Sequence, residues 1–289
     1  MKPDHFDRSI HELVDKRCKE LEDILESDVV FYQGSIQPQF FREFRDFVEL
    51  VRSSSGRTDD RISMVLRTGG GSAETTERMV GVLRQHYEEV NFIVPDVAMS
   101  AGTILCMSGD KIYMDYASTL GPIDPQVPTP DTGDYVPALG YLDKVAEITQ
   151  KGQLQPADVV MLKSLDLAKL ALFEQARDLS VDLLKKWLVD YKFRNWTHHR
   201  TTNPGAPVTA GEKEDRAEQI ARDLANHRRW RSHGRNLDVG KLTELRIEID
   251  DYSNDAPLRN AIRGYNDPLT GFVDRVRWEF VMHSHHVPW

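Results

Sequence analysis

The chain has 289 residues, 40% of them hydrophobic, and its 46 acidic and 37 basic residues give a formal net charge of −9. This length allows one large core, and the acidic balance argues against a protein that binds nucleic acid non-specifically. Its two cysteines, Cys18 and Cys106, indicate neither a disulfide framework nor a metal site, which favours a reducing compartment. The charged N-terminus does not resemble a signal peptide, and no stretch has the roughly 20 apolar residues of a membrane span. We therefore expect a cytoplasmic protein whose partners include neither a membrane nor a nucleic acid.

Strand-like and helix-like segments alternate through the first part of the chain. Residues 8–27 predict an amphipathic helix, and "DVVFYQGSI" predicts a buried strand that ends at Gly34. The next segments read alternately as helix and strand: "FFREFRDFVELV", "RISMVLRT", "AETTERMVGVLRQHYEEV", "NFIVPD", residues 100–107 and "KIYMD". This order is typical of an α/β fold with a largely parallel sheet.

Beyond this part the pattern becomes mostly helical. Helical stretches begin near Tyr141, Ala157 and Gly211, and the polar loop "THHRTTNPGAPVT" precedes the third. After them we predict a strand at Leu245–Ile249, a short helix and a tail.

Three consecutive glycines in "TGGGS", residues 68–72, separate a predicted strand from a predicted helix. Glycine lets the backbone adopt a positive φ and lets a ligand approach the main chain, and the N–H groups at a helix start attract negative charge. Phosphate-binding motifs fit poorly, because neither a Lys-Ser/Thr pair nor the final glycine of a dinucleotide motif follows. Two interpretations remain, an oxyanion site made of backbone N–H groups and a tight turn.

The segment "PDVAMSAGTIL" places one hydroxyl, that of Ser100, where a strand gives way to a helix. An N-cap is the ordinary role of such a serine. Small neighbours favour a second role, because Ala98 and Gly102 leave room for a substrate and the N–H of Ala101 would face a developing oxyanion. "AMSAG" is also similar to the Gly-x-Ser-x-Gly elbow of α/β-hydrolases, with alanine first. Since the glycine turn and Ser100 each follow a strand of one sheet, we expect them at the same sheet edge.

The segments "LRTGGGSAETTERM" and "VPDVAMSAGTILCMSGDKIYMDYASTLGPIDPQ" resemble the Clp-protease/crotonase superfamily. The nearest resemblance within it is to the serine dehydrogenase proteinase family of signal-peptide-peptidase-A-like proteases. It spans about residues 28–127, weakens toward residue 190 and returns at "WRSHGRNLDVGKLTEL". It implies a Clp/crotonase-type superhelix of strand–helix units with a helical C-terminal region, which oligomerises through its helices. It also implies peptide hydrolysis through an acyl-enzyme without a cofactor, with Ser100 as nucleophile and the N–H groups of Gly70 and Ala101 as oxyanion hole.

A serine hydroxyl needs a neighbouring base. Clp proteolytic subunits carry a histidine in the loop that here reads "LGPIDPQ", but this loop holds Asp124, and no histidine follows Ser100 until His198. The signal peptide peptidases use a desolvated lysine farther along the chain. Lys151, about 50 residues after the serine, is the first candidate and Lys144 the second. The resemblance therefore favours a Ser–Lys dyad.

Two further clusters have ordinary explanations. In "HSHH", His283, His285 and His286 have no acidic or cysteine partner at metal-ligand spacing, so we predict no metal site. The arginines around Trp230 in "NHRRWRSHGR" fit a solvated helix end better than a nucleic-acid-binding patch. His233 lies in that stretch, which echoes the family, and a role near the site stays open.

These patterns divide the chain into an N-terminal helix (1–27), a Clp/crotonase-like catalytic core (28–136), a helical region for oligomerisation and site completion (137–230) and a C-terminal segment without an assigned role (231–289). The predicted function is a cytosolic serine peptidase that acts on polypeptides as a homo-oligomer. Two alternatives remain. One is a crotonase-like acyl-CoA enzyme that uses Glu74 or Glu77 beside the glycine turn, and the other is a non-catalytic assembly or binding module.

Overall fold

The computed structural model describes residues 5–128, 135–163, 165–201 and 203–289. Its strands are β1 (Asp28–Gly34), β2 (Arg61–Arg67), β3 (Glu89–Val94), β4 (Val97–Ala98), β5 (Lys111–Met114), β6 (Thr119–Leu120), β7 (Gln126–Pro128), β8 (Tyr135–Pro137), β9 (Asp250–Asp251) and β10 (Phe280–His283). Its helices are α1 (His5–Leu25), α2 (Phe41–Ser55), α3 (Ala73–His86), α4 (Ala101–Met107), α5 (Ala138–Thr149), α6 (Pro156–Lys163), α7 (Leu167–Trp187), α8 (Ala210–Ala225), α9 (His227–Trp230), α10 (Val239–Glu244) and α11 (Ala256–Val276). A 3₁₀ turn covers Pro38–Phe40, and a π-helical turn follows α7 at Leu188–Lys192. Within the described ranges, no helix combines the length and the apolar character needed to cross a bilayer.

A six-stranded sheet lies at the centre of the protein, in the order β10-β1-β2-β3-β5-β9. Neighbouring strands from β1 to β9 are parallel, and β10 runs antiparallel to β1 at one edge. Helices α2, α3 and α4 connect the successive parallel strands β1, β2, β3 and β5, which is the connection that a parallel sheet requires. The predicted α/β fold with a largely parallel sheet is therefore confirmed.

Both faces of this sheet are buried. In β1, Val30 and Tyr32 belong to the core beneath α2, α3 and α4, whereas Val29 and Phe31 belong to a second core beneath α1 and α11. Side chains alternate between the faces along a strand, so a strand covered on both sides must be apolar at successive positions. The run "VVFY" meets this requirement, and the result is a three-layered fold.

The C-terminal part differs from its predicted structure. Residues 245–249 form no strand, because Leu245 ends α10 and Arg246 adopts a positive φ of 62°, which interrupts an extended run. The strand begins only at Asp250, which pairs with Tyr113 of β5. The predicted short helix is the 21-residue α11, and the predicted tail supplies β10. Residues 231–289 therefore complete both edges of the central sheet.

Candidate active site

The glycine turn lies directly against Ser100. A Cβ atom on Gly70 would lie 2.8 Å from the Cβ of Ser100 and 2.8 Å from the carbonyl oxygen of Met99. Real Cβ atoms do not approach other atoms so closely, and the φ of Gly70 is +105°, so this position requires glycine. The turn and the serine, predicted to share one edge of the sheet, are thus in contact.

Backbone hydrogen bonds hold the two loops together. Just beyond β2, Thr68 donates its N–H to the carbonyl oxygen of Val97 and accepts the N–H of Met99, both at 3.0 Å. A Cβ on Gly102 would collide with the Cγ2 of Thr68. Small residues around Ser100 are therefore required by the close packing of these loops.

Ser100 has a backbone conformation that is rare for a residue with a side chain. Its φ of 52° and ψ of −115° lie outside the helical and extended regions. The residue stands at the N-cap position of α4, yet its side chain makes no capping hydrogen bond. Strained backbone of this kind costs about 1–3 kcal/mol and collects at functional sites. Ser100 therefore does not serve as an ordinary side-chain cap.

The two predicted oxyanion donors differ in their surroundings. Among the described residues, the N–H of Ala101 has no acceptor, and its nitrogen would lie 3.3 Å from a Cβ on Gly70. The N–H of Gly70 donates to Oγ1 of Thr68 at 3.0 Å. The N–H of Ala101 can therefore donate to an incoming oxyanion directly. The N–H of Gly70 must first break its hydrogen bond to the hydroxyl of Thr68.

Asp124 and His233 form a hydrogen-bonded pair. The Nδ1 atom of His233 lies 3.0 Å from Oδ1 of Asp124, whose side chain is only 1% exposed, against 24% for His233. An ionised carboxylate only accepts hydrogen bonds, so we assign the proton to Nδ1, which leaves the lone pair on Nε2. The other carboxylate oxygen accepts a hydrogen bond from Nε2 of Gln126 at 2.8 Å. The pair therefore has the arrangement that orients a histidine base.

Two contacts bring this pair to the side of the molecule that holds the serine loop. Gly121, three residues before the aspartate, packs so closely that a Cβ there would lie 3.3 Å from the Cα of Met99. Four residues after the histidine, Leu237 exchanges both backbone hydrogen bonds with Leu120, at 2.9 and 3.0 Å. The loops that carry the serine, the aspartate and the histidine are therefore neighbours.

The predicted lysine bases are both exposed, and both form ion pairs. The Nζ atom of Lys151 is 2.7 Å from Oδ1 of Asp158, and that of Lys144 is 3.1 Å from Oε2 of Glu147. The two lysine side chains are 39% and 50% exposed. A lysine base needs a desolvated setting, and a carboxylate partner stabilises its protonated form instead. These surroundings do not support the lysine prediction.

Other candidate groups have structural contacts. Ser72, the N-cap of α3, donates its hydroxyl proton to Glu74 at 2.7 Å, which is ordinary helix-start geometry. Arg228 pairs with Asp143 at 2.6 Å, as expected at a solvated helix end. Burial raises the pKa of the Cys106 thiol, and this residue packs in the core.

A strained serine against a glycine turn, at the edge of a mostly parallel sheet, is the arrangement that the resemblance to ClpP-like proteins implies. The family model of the ClpP-like SDH-type serine proteinases matches residues 34–204 of the sequence, which is more than half of the chain. The protein belongs to this family. The matched range includes Gly70 and Ser100 and ends before His233.

Two uncharacterized proteins of Methanocaldococcus jannaschii are similar in sequence. MJ1495 is 28% identical over 211 residues, which cover 73% of this chain and 59% of the relative. MJ0137 is 30% identical over 185 residues, which cover 61% of this chain and 59% of the relative. The match therefore spans less than two thirds of the length of either relative.

Two solved structures of the 1510-N membrane-bound stomatin-specific protease are also similar. One is a serine-to-alanine mutant, with 13% identity, a TM-score of 0.44 and 77% of each chain covered. The other is a lysine-to-alanine mutant in complex with a substrate peptide, with 15% identity and a TM-score of 0.45. This second match covers 77% of the present chain and 73% of the mutant protease chain.

Proposed function

We propose that the protein is a serine peptidase in which Ser100 attacks the peptide carbonyl and His233 acts as the base. The observation that carries this proposal is the contact between Gly70 and Ser100, whose strained, uncapped backbone presents a hydroxyl beside the N–H of Ala101, which is unpaired within the described ranges. Residues 28–136 supply the nucleophile, the oxyanion donors and Asp124. In this proposal residues 231–289 are also required, because they carry the base.

The proposed reaction has two halves. Nε2 of His233 accepts the proton of the Ser100 hydroxyl as the oxygen attacks, and Asp124 stabilises the imidazolium through Nδ1. The N–H of Ala101, joined by that of Gly70, binds the oxyanion of the tetrahedral intermediate. Collapse of this intermediate breaks the peptide bond, and the imidazolium gives its proton to the leaving amine. Water, deprotonated by the same imidazole, then releases the acyl group and regenerates the serine.

The choice of base distinguishes this mechanism from the Ser–Lys dyad predicted from the resemblance. His233 is partly exposed and held by a buried carboxylate, the setting that orients a histidine as general base. Lys151 and Lys144 are instead exposed and paired with carboxylates. We therefore propose the histidine and keep the lysine dyad as the competing mechanism that the experiment must separate.

Hydrolysis of a pool of fluorogenic peptides tests the proposal. Ser100→Ala and His233→Ala should each lower kcat by about 10⁴-fold or more, because the serine and the histidine act as a unit. Lys151→Ala is the matched control and should keep wild-type activity. Loss of activity in Lys151→Ala with activity kept in His233→Ala would establish the lysine dyad instead.

The acyl-CoA alternative requires a carboxylate aimed at the glycine turn. Glu74 instead accepts the hydroxyl proton of Ser72 at the start of α3, and Glu77 is exposed on the same helix. Coenzyme A binding without peptide hydrolysis would favour this alternative. Absence of both activities in the folded protein would favour a non-catalytic module.

We also propose that the protein is a cytoplasmic homo-oligomer, as the resemblance implies. Both cysteines are free and buried, as in proteins of reducing compartments. Val160 on α6 and Leu167 and Leu172 on α7 are 68%, 77% and 60% exposed, and exposed apolar side chains concentrated in one stretch mark contact surfaces. Sedimentation of wild type and Leu167→Glu tests this, since the variant should have the lower mass and a monomeric wild type would contradict it.

A further inference from the structure

A buried carboxylate meets two adjacent imidazoles on the face of the sheet opposite α2 and α3. Oε2 of Glu22 lies 2.7 Å from Nε2 of His285 and 3.1 Å from Nε2 of His286. The side chains are 4%, 20% and 12% exposed, respectively. We call these three residues the Glu22 site. No residue of this site takes part in the proposed peptidase reaction.

The fold assembles this site from the two ends of the chain. Glu22 lies on α1, whereas His285 and His286 follow β10, 263 and 264 residues later. No acidic or cysteine residue stands at metal-ligand spacing from "HSHH", and for this reason the sequence predicts no metal site. The tertiary structure supplies the carboxylate that local spacing lacks.

The three histidines of "HSHH" have different partners: His283 is held in place by Asp15 and Tyr265, whereas His285 and His286 contact Glu22. His283 is held by Asp15, 2.9 Å from its Nε2, and by the hydroxyl of Tyr265, 2.8 Å from its Nδ1. On the other side of His285 and His286, Trp289 stacks on His11 with ring centroids 4.0 Å apart. These contacts anchor the chain on both sides of the site, so His285 and His286 are held toward Glu22 rather than left as a free histidine tract.

The carboxylate of Glu22 is oriented by the backbone. Its Oε1 accepts the N–H of Val29 at 2.8 Å, which directs Oε2 to the two imidazoles. Metal-binding carboxylates and histidines are commonly fixed by such outer hydrogen bonds. Because Val29 belongs to β1 of the central sheet, the position of this carboxylate does not depend on the histidines.

The spacing of the three donor atoms fits a small divalent cation. Tetrahedral Zn²⁺ with bonds of about 2.0–2.1 Å places its ligand atoms about 3.3 Å apart. The observed distances of 2.7 and 3.1 Å would have to lengthen by about 0.6 and 0.2 Å to reach this spacing, and the three ligand atoms all lie within 4.8 Å of one another. Two imidazoles and one carboxylate leave a fourth position for water.

We propose that Glu22, His285 and His286 bind a Zn²⁺ ion, which fastens the C-terminal tail to α1. Imidazole nitrogen and carboxylate oxygen are ligand types that Zn²⁺ accepts, and the partial exposure of His285 gives the ion a path of entry. The site exists only in the folded protein, since its ligands come from opposite ends of the chain. Binding should therefore stabilise the fold, and it should release any proton that the imidazoles hold.

Zinc titration of the full chain, without an affinity histidine tag and after removal of metal with a chelator, tests the proposal. We expect one equivalent of Zn²⁺ to bind the wild type. Glu22→Gln, which keeps an acceptor for Val29, and His286→Ala should each weaken binding at least about tenfold. His198→Ala, which removes an exposed histidine, is the control and should bind like the wild type.

Two outcomes would overturn the proposal. One is the absence of stoichiometric binding to the wild type. The other is binding that Glu22→Gln leaves unchanged while His286→Ala loses it, which would be metal held by the tail histidines alone. Circular dichroism checks that each variant is folded.

A second measurement does not depend on variants. The melting temperature of the wild type should rise with Zn²⁺ concentration, as mass action requires for a ligand that binds only the folded state. Co²⁺ in place of Zn²⁺ should give the intense visible absorption of a tetrahedral site. A melting temperature that saturating Zn²⁺ leaves unchanged would contradict the site. Ser100→Ala should bind Zn²⁺ like the wild type, so failure of the peptidase proposal and failure of this one are distinguishable.

Discussion

His233 lies 3.0 Å from Asp124, its partner 109 residues earlier in the chain. The resemblance to Clp proteolytic subunits would place a histidine in the loop that holds this aspartate. Here the imidazole comes from the C-terminal segment instead, through the turn that follows α9. A histidine–carboxylate pair is thus built from two distant segments, with the carboxylate in the core and the imidazole reaching solvent.

The Asp124→Asn variant tests the role of this pair. An asparagine keeps the size of the side chain but can donate a hydrogen bond to Nδ1, which favours the wrong tautomer of His233. We expect kcat for peptide hydrolysis to fall by about 10⁴-fold while the fold is kept. Asp143→Asn is the matched control, because Asp143 forms a partly exposed pair with His227 at 3.2 Å. Equal activity in the two variants would remove Asp124 from the mechanism.

The Gly70→Ala variant tests the contact with Ser100. The new Cβ would lie 2.8 Å from two atoms of the serine loop, at a positive φ that alanine disfavours. We expect a loss of about 10²–10³-fold in kcat from the displaced oxyanion donors, with a destabilisation of about 1–3 kcal/mol. Gly69→Ala is the control, since nothing lies within 4 Å of a Cβ there. Peptide hydrolysis and urea unfolding measure the two effects, and similar behaviour of both variants would contradict the geometry.

The thiols provide a test of packing. Cys18 and Cys106 are both buried, and burial raises the pKa of Cys106, so little reactive thiolate forms there. Ellman's reagent at mildly alkaline pH should leave Cys106 of the native protein unmodified over hours. The same reagent should modify both thiols promptly after unfolding in urea. Rapid modification of native Cys106, located by peptide mass spectrometry, would show that α4 is not packed as described.

The sequence predicts the parts of this protein that depend on local pattern. Strand and helix alternation predicts the parallel sheet, and the strands that precede the glycine turn and Ser100 predict that both lie at one edge of it. Leu245–Ile249 looks like a strand because its apolar residues alternate, but Arg246 takes a positive φ and ends the extended run. Alternation alone carries no information about such a turn.

Long-range pairs could not be predicted in this way. His233 and Asp124 come together because Leu237 pairs with Leu120 in the folded chain, and Glu22 meets His285 because β10 pairs with β1. Neither pair has a sequence spacing that indicates contact. Backbone pairing between segments that are far apart in the chain brings them together.

Labelling with a fluorophosphonate, followed by intact-mass spectrometry, tests whether Ser100 is an activated nucleophile. The reagent reacts with an activated serine and needs no knowledge of the substrate. We predict one adduct on the wild type and on Lys151→Ala, none on Ser100→Ala, and labelling of His233→Ala slowed by several orders of magnitude. An adduct that persists in Ser100→Ala, or a folded wild type that takes none after long incubation, would contradict the account.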